Sequence, residues 1–147
     1  MKTGIILPHL GNSQLTYEVQ KIVFENQDTQ EFYIFYEQSY PSQYSFFAPI
    51  MNISEMKHFS GRLIGFTLSS LSYLDKAVLP IEPIVYLYDL EWLRGKTDYI
   101  SNVQQFRKYK LYTRSQEYAE LIQNYTNHTC QFKQLKDVIC QPSLLKN

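Results

Sequence analysis

The sequence predicts an α/β domain built on a mostly parallel sheet, and three observations carry that expectation. Residues 3–8, 32–36, 62–67, 84–88 and 109–113 are short apolar runs that read as strands. Stretches long enough to form crossover helices separate most of them, as parallel neighbours require. The runs are close to continuously apolar, the pattern of strands covered on both faces. Together they describe a single Rossmann-like three-layer domain over residues 1–140, with five or six strands, and a frayed tail over residues 141–147. Ligands on such sheets gather beyond the carboxyl ends of the strands, so the loops at those ends are the places to search.

The elements follow in order. The first strand ends at Pro8-His9-Leu10, and Gly11-Asn12-Ser13 follows. Leu15, Val19, Ile22 and Val23 then recur at helical spacing, with Asn12 or Ser13 as the N-cap. Residues 27–30 form a polar turn into the second strand. Residues 37–47, rich in Tyr, Ser and Gln and holding Pro41, read as a loop. Residues 50–59 are open between a short strand around Ile50 and a helical turn through Met56. After the third strand, residues 69–78 form a short helix entered through serines, and Pro80 and Pro83 lead into the fourth strand. Residues 98–108 carry Ile100, Val103 and Phe106 at helical spacing. The fifth strand ends at Arg114-Ser115, where Ser115 caps a helix with Glu117 in its first turn, the favourable end of the helix dipole for an acid. Residues 130–132 are a candidate last strand, and residues 135–140 close the domain.

Composition narrows the function classes. A chain of 147 residues buries roughly 68–70% of its unfolded surface, so it needs neither metal nor disulfide to fold. Fourteen Lys and Arg balance fourteen Asp and Glu, which lacks the electrostatic footprint of a general nucleic-acid binder. No apolar run is long enough to span a membrane. Met1-Lys2-Thr3-Gly4 leads straight into a strand without an apolar leader, so a cytoplasmic location is expected. Cys130 and Cys140 then read as reduced thiols. Thirteen Tyr and nine Phe accompany a single Trp; half-buried strand positions, interfaces and stacking on sugars or bases all use such side chains.

Several chemistries find no support. Five glycines form neither Gly-x-Gly-x-x-Gly nor a phosphate-binding P-loop. There is no Gly-x-Ser-x-Gly elbow and no His-Glu-x-x-His. No acidic pair follows the first strand, so a phosphoacceptor site of the response-regulator kind is not indicated. His58 and His128 lack metal-ligand spacing, and His128 with Cys130 lacks a second cysteine pair, so no metal and no cofactor is expected.

What remains sits at strand ends. Gly11-Asn12-Ser13 is either a plain helix cap or an anion site at the helix N-terminus. His9 is either a loop histidine or a general base or donor. Asp89, Glu91, Trp92 and Arg94 form the densest polar and aromatic group: carboxylates for hydroxyls, an indole to stack, a guanidinium for phosphate. The alternative is a capping Asp89, a packed Trp92 and solvated charges. Arg114 is open in the same way, between an anion contact and a surface charge.

The order of residues 3–10, Gly11-Asn12-Ser13, the segment 86–92 ending in Glu91-Trp92, and the segment 111–118 around Arg114-Ser115 resembles the N-terminal lobe of GT-B glycosyltransferases. In that family an opening strand runs into a Gly-containing loop, and later strands lead to an acidic-Trp segment and to a helix start near Arg-Ser. The resemblance implies an acceptor-side scaffold that binds a sugar or nucleotide-sugar ligand, with Gly11, His9 and Glu91 near the cleft. It also implies that catalysis needs a separate second lobe, because GT-B enzymes place most nucleotide-sugar contacts there. The first functional expectation is therefore a sugar- or nucleotide-type ligand at the carboxyl edge, lined by His9, Gly11, Asn12, Asp89, Glu91, Trp92 and Arg114. If the site is catalytic, His9 is the base and Arg114 the phosphate partner. The second expectation is a non-catalytic interaction or oligomer-forming module that uses Tyr36, Tyr40, Tyr44, Phe46 and Phe47.

Overall fold

The computed structural model describes residues 2–39, 45–89 and 104–141. Seven strands form one sheet: β1 (Lys2–His9), β2 (Glu31–Gln38), β3 (Ile50–Asn52), β4 (Gly61–Gly65), β5 (Ile81–Leu87), β6 (Lys110–Thr113) and β7 (Cys130–Phe132). Their order is β3-β2-β1-β4-β5-β6-β7, and every pairing is parallel. The sheet thus has seven strands rather than five or six, and is wholly rather than mostly parallel. The additions are the two three-residue edge strands, too short to give a hydrophobic period of their own.

Among the described residues, four α-helices alternate with the strands: α1 (Gln14–Asn26), α2 (Leu68–Asp75), α3 (Gln116–Thr126) and α4 (Leu135–Ile139). Residues 50–59 resolve the strand-or-helix ambiguity by being both, with β3 running directly into a 3₁₀ helix over Ile53–His58. Of the helix expected over residues 98–108, the described part ends in the 3₁₀ turn Phe106–Lys108, with Phe106 buried. The expected loop at residues 37–47 begins two residues late, because β2 runs through Gln38.

Burial on both faces explains the apolar runs. Adjacent residues face opposite ways along a strand. Ile5, Leu7, Ile34, Ile64, Ile84 and Tyr86 face one layer, made by α1 and α4 through Val19, Ile22, Val23, Leu135 and Val138. Ile6, Phe35, Leu63, Val85, Leu87 and Leu111 face the other, made by α2, α3 and the 3₁₀ segments through Leu71, Leu74, Ile122, Met56 and Phe106. Each such side chain contributes roughly 1.5–3 kcal/mol on burial. The caps contribute about 1 kcal/mol each, so they fix where helices begin rather than hold the domain together. Ser13 accepts from the Thr16 amide at 3.1 Å, Ser115 from the Tyr118 amide at 3.1 Å, and Thr67 and Ser70 form a reciprocal capping box.

One charge lies inside the first of these layers. Arg62 on β4 is fully buried, and its guanidinium is 3.7 Å from Glu82, its register partner on β5. It also donates to the carbonyl of Val138 at 3.5 Å and to that of Gln141. Cation donation to the last carbonyls of a helix suits the negative end of its dipole, so Arg62 ties α4 down across the sheet. Cys130 and Cys140 are both free thiols, and burial pushes the Cys130 thiol up to about 12, away from the reactive thiolate.

Two predictions follow from this packing. Arg62→Ala takes the guanidinium away from the part-buried Glu82 and from the carbonyls it serves, and should cost about 3–5 kcal/mol in urea unfolding, whereas a paired Arg62→Met, Glu82→Leu exchange should cost far less. Gly61 has φ +133°, and a Cβ there would lie 2.5 Å from the Lys2 carbonyl oxygen, a backbone atom that cannot swing away. Gly61→Ala should therefore cost on the order of 1–3 kcal/mol in the same assay.

Candidate functional site

The strand order places a topological switch at β1 and β4. From β1 the chain crosses through α1 to β2 on one side, while β4 lies on the other side and feeds α2. Because α1 and α2 cover opposite faces, the loops leaving β1 and β4 diverge and open a crevice at the carboxyl edge. The crevice has a volume of about 340 Å³. Pro8 and His9 from β1, Ser13 and Gln14 at the start of α1, Phe66 and Thr67 after β4, and Tyr88 and Asp89 after β5 line it. A close approach narrows its base: a Cβ on Gly65 would sit 2.4 Å from the Ser70 hydroxyl, which itself belongs to the cap of α2.

The loop after β1 is tied to itself. The Gly11 amide donates to His9 Nδ1 at 3.0 Å, and the Thr16 hydroxyl donates to the His9 carbonyl at 3.4 Å. Nδ1 is therefore an acceptor, and the proton of the neutral ring sits on Nε2. That bond occupies Nδ1 with the loop's own backbone. Gly11 is buried with its amide engaged, and Asn12 is exposed; among the described residues neither lines the crevice, whereas His9 and Asp89 both do.

Arg114, just past β6, reaches Asp89 at 3.3 Å. Its guanidinium also lies 4.6 Å from the Tyr88 ring centre and 5.6 Å from that of Tyr118. The structure thus brings together Asp89 and Arg114 from two adjacent strand ends, with the guanidinium over the ring of Tyr88, which the sequence did not single out. Glu91, Trp92 and Arg94 lie outside the described residues.

A second hollow of about 420 Å³ adjoins the first across Tyr88. Glu18 and Lys21 of α1, Tyr86, Arg114 and Lys136 are among its walls. Phe66, Tyr86 and Tyr88 form a continuous aromatic floor, with ring centres 6.1 and 6.5 Å apart. The Tyr86 hydroxyl donates to the Lys133 carbonyl at 2.8 Å. Tyr88 differs. It is 5% exposed, yet its hydroxyl closes no hydrogen bond of full geometry. Burial, then the nearby Glu18 carboxylate, pushes its pKa up to about 12, with Arg114 pulling the other way. A buried hydroxyl left in this condition is uncommon and calls for a partner. Tyr88, Phe66, Thr67 and Glu18 were not recognisable as site residues in the sequence; the one available sign was that Tyr88 directly follows a buried strand. Among the described residues no group of acids, histidines and cysteines could hold a metal.

Three measurements check this edge. Tyr88→Phe removes a hydroxyl without a full partner, so the unfolding midpoint should hold or rise. Arg114→Ala should cost under about 1 kcal/mol, since the Asp89 pair is exposed and screened. Tyr88 and Tyr86 both keep their protons above the ordinary tyrosine value of 10.0, with burial the main cause. The unfolded chain then loses protons first, so stability is full below about pH 10 and declines as pH rises toward 12. Tyrosinate absorbance should appear together with unfolding in an alkaline titration.

Compared with known protein families, curated proteins and solved structures, the chain matches none, and the geometry of this edge is what bears on its function.

Proposed function

We propose that this domain binds a sugar- or nucleotide-type ligand at the carboxyl edge of its sheet, in the manner of a GT-B-like N-terminal lobe. The observation that carries the reading is the Tyr88 hydroxyl, buried and without a full hydrogen bond, between two hollows at a topological switch point. Sites for such ligands are concave, largely apolar and oriented by a few polar groups. Here the aromatic floor supplies the apolar surface, and stacking on a ring suits a sugar or base. Asp89 and Glu18 accept from hydroxyls, while Arg114 and His9 donate. Glu91 and Trp92 come two and three positions after Asp89 in the sequence. Arg114 is the phosphate contact in this reading, released from Asp89 at little cost because that ion pair is exposed. The role is binding; catalysis of the GT-B kind would require the opposing lobe.

A thermal-shift screen against nucleotides, nucleotide sugars and simple sugars tests the reading. Saturable stabilisation that grows as ligand exceeds its dissociation constant is the expected result. Tyr88→Phe should then weaken binding by roughly 5–30-fold, the worth of one hydrogen bond of about 1–2 kcal/mol, with stability intact. Binding unchanged in Tyr88→Phe, His9→Ala and Arg114→Ala would remove the ligand from this edge.

A second reading has its own observation. Tyr17, Phe24 and Phe47 are each about half exposed, and Phe24 and Phe47 stack at 4.9 Å, which is the composition of an interface rather than of a solvated helix face. Tyr40 and Tyr44, expected to carry such an interface, lie outside the described residues. A concentration-dependent dimer in size-exclusion chromatography that is lost in Phe24→Ser would favour this module.

A further inference from the structure

At the opposite edge of the sheet, the amino ends of β6 and β7 enclose another hollow, of about 520 Å³. The 3₁₀ turn Phe106–Lys108, the start of β6 and the turn before β7 form its walls. Its charge is one-sided. Arg107, Lys108 and Lys110 line it beside the ring of His128, and no described lining residue is acidic. The chain as a whole is neutral, with fourteen cations and fourteen anions, so charge of one sign has been gathered here. Residues 107–114 hold Arg107, Lys108, Lys110 and Arg114 without an acid among them.

Little in the described structure neutralises this group. Arg107 Nε donates to the Thr126 carbonyl at 3.0 Å, which orients the guanidinium without cancelling its charge. Lys108 reaches Asp75 only at 3.9 Å, with both side chains at least half exposed. Lys110 makes no ion pair with any described residue. The His128 ring is held at 3.1 Å from the Tyr109 carbonyl; a carbonyl only accepts, so Nε2 carries the proton. Thr129 and Gln131 add neutral hydrogen-bonding groups on the β7 side.

We propose that this hollow is a second binding site, separate from the carboxyl edge, for a small multiply charged anion of the oligophosphate class. Its volume lies in the range of small-molecule sites. The cations converge on one concavity instead of running as a stripe, and the neutral chain lacks the footprint of a polymer binder. Lys110 and Arg114 stand at opposite ends of β6, about 13 Å apart along an extended strand, so the two sites do not share a ligand phosphate.

Isothermal titration of the whole chain with inorganic pyrophosphate at low ionic strength tests the proposal, using wild type, Lys110→Glu, Lys110→Arg and Arg114→Ala. Circular dichroism confirms that each variant is folded. The expected result is saturable binding that weakens at least about tenfold in Lys110→Glu, since like charge replaces attraction. Lys110→Arg should bind as wild type does, and Arg114→Ala should keep the binding that Lys110→Glu weakens. Absence of saturable binding to wild type would overturn the site, as would equal binding by Lys110→Glu. Loss in Arg114→Ala alone would place the anion at the carboxyl edge instead. Binding of a mixed-sequence oligonucleotide without any binding of pyrophosphate would replace the pocket with a polymer-binding surface.

Discussion

Everything in this domain depends on the requirement that a parallel sheet be covered on both faces. Ile5 and Ile6 are sequence neighbours, are both essentially inaccessible, and point into different layers. The same division separates Ile34 from Phe35 and Leu63 from Ile64. Strands of this kind cannot be joined by hairpins, because each connection must carry the chain back along the sheet. The crossovers supply the helices that do the covering. Each of α1, α2 and α3 therefore starts near the carboxyl edge, with a Ser or Thr cap that accepts from its first-turn amides. The loops that follow β1, β4 and β6 collect at that edge for the same reason.

Arg62 is the point at which this apolar logic is broken. A fully buried guanidinium is costly to desolvate, and burial pulls its pKa below the usual arginine value while Glu82 pushes it back. What the charge provides is a partner for the carbonyls at the end of α4, a helix of five residues too short to stand by itself. The first layer is closed by α1 and α4 together, so the position of α4 also determines one wall of the hollow beside Tyr88. Core packing and the candidate site are joined through that short helix.

At the carboxyl edge the local bonding sorts groups that look alike in the sequence. The Gly11 amide is engaged by His9, and the Ser13 hydroxyl by Thr16, so the loop after β1 is a self-bonded turn. Asp89 and Arg114 are held together only by an exposed ion pair that solvent screens. Tyr88 has the opposite character, being desolvated and short of a full hydrogen bond. A ligand hydroxyl or phosphate would gain most where a polar group has already lost its water, which places Tyr88 above the exposed charges around it.

The sequence by itself determined the α/β class, the five long strands, a cap at Asn12 or Ser13 and one at Ser115, and the carboxyl edge as the place to look. These are written in local periodicity and in cap chemistry, which act over a few residues. It offered the two edge strands only as candidates, at Ile50 and at Cys130–Phe132, because three residues become a strand only where a longer neighbour offers its free edge. Nor did it show that Arg62 lies in the core, since nothing local marks the carbonyls of Val138 in α4 and Gln141 just past it, 76 and 79 positions further on, as its partners. Of the candidate residues, the strand-end positions of His9, Asp89 and Arg114 were legible in the sequence. The pairing of Asp89 with Arg114 and the state of the Tyr88 hydroxyl were decided only by the tertiary structure, because strand order sets which ends are neighbours and burial sets which polar atoms lose their water.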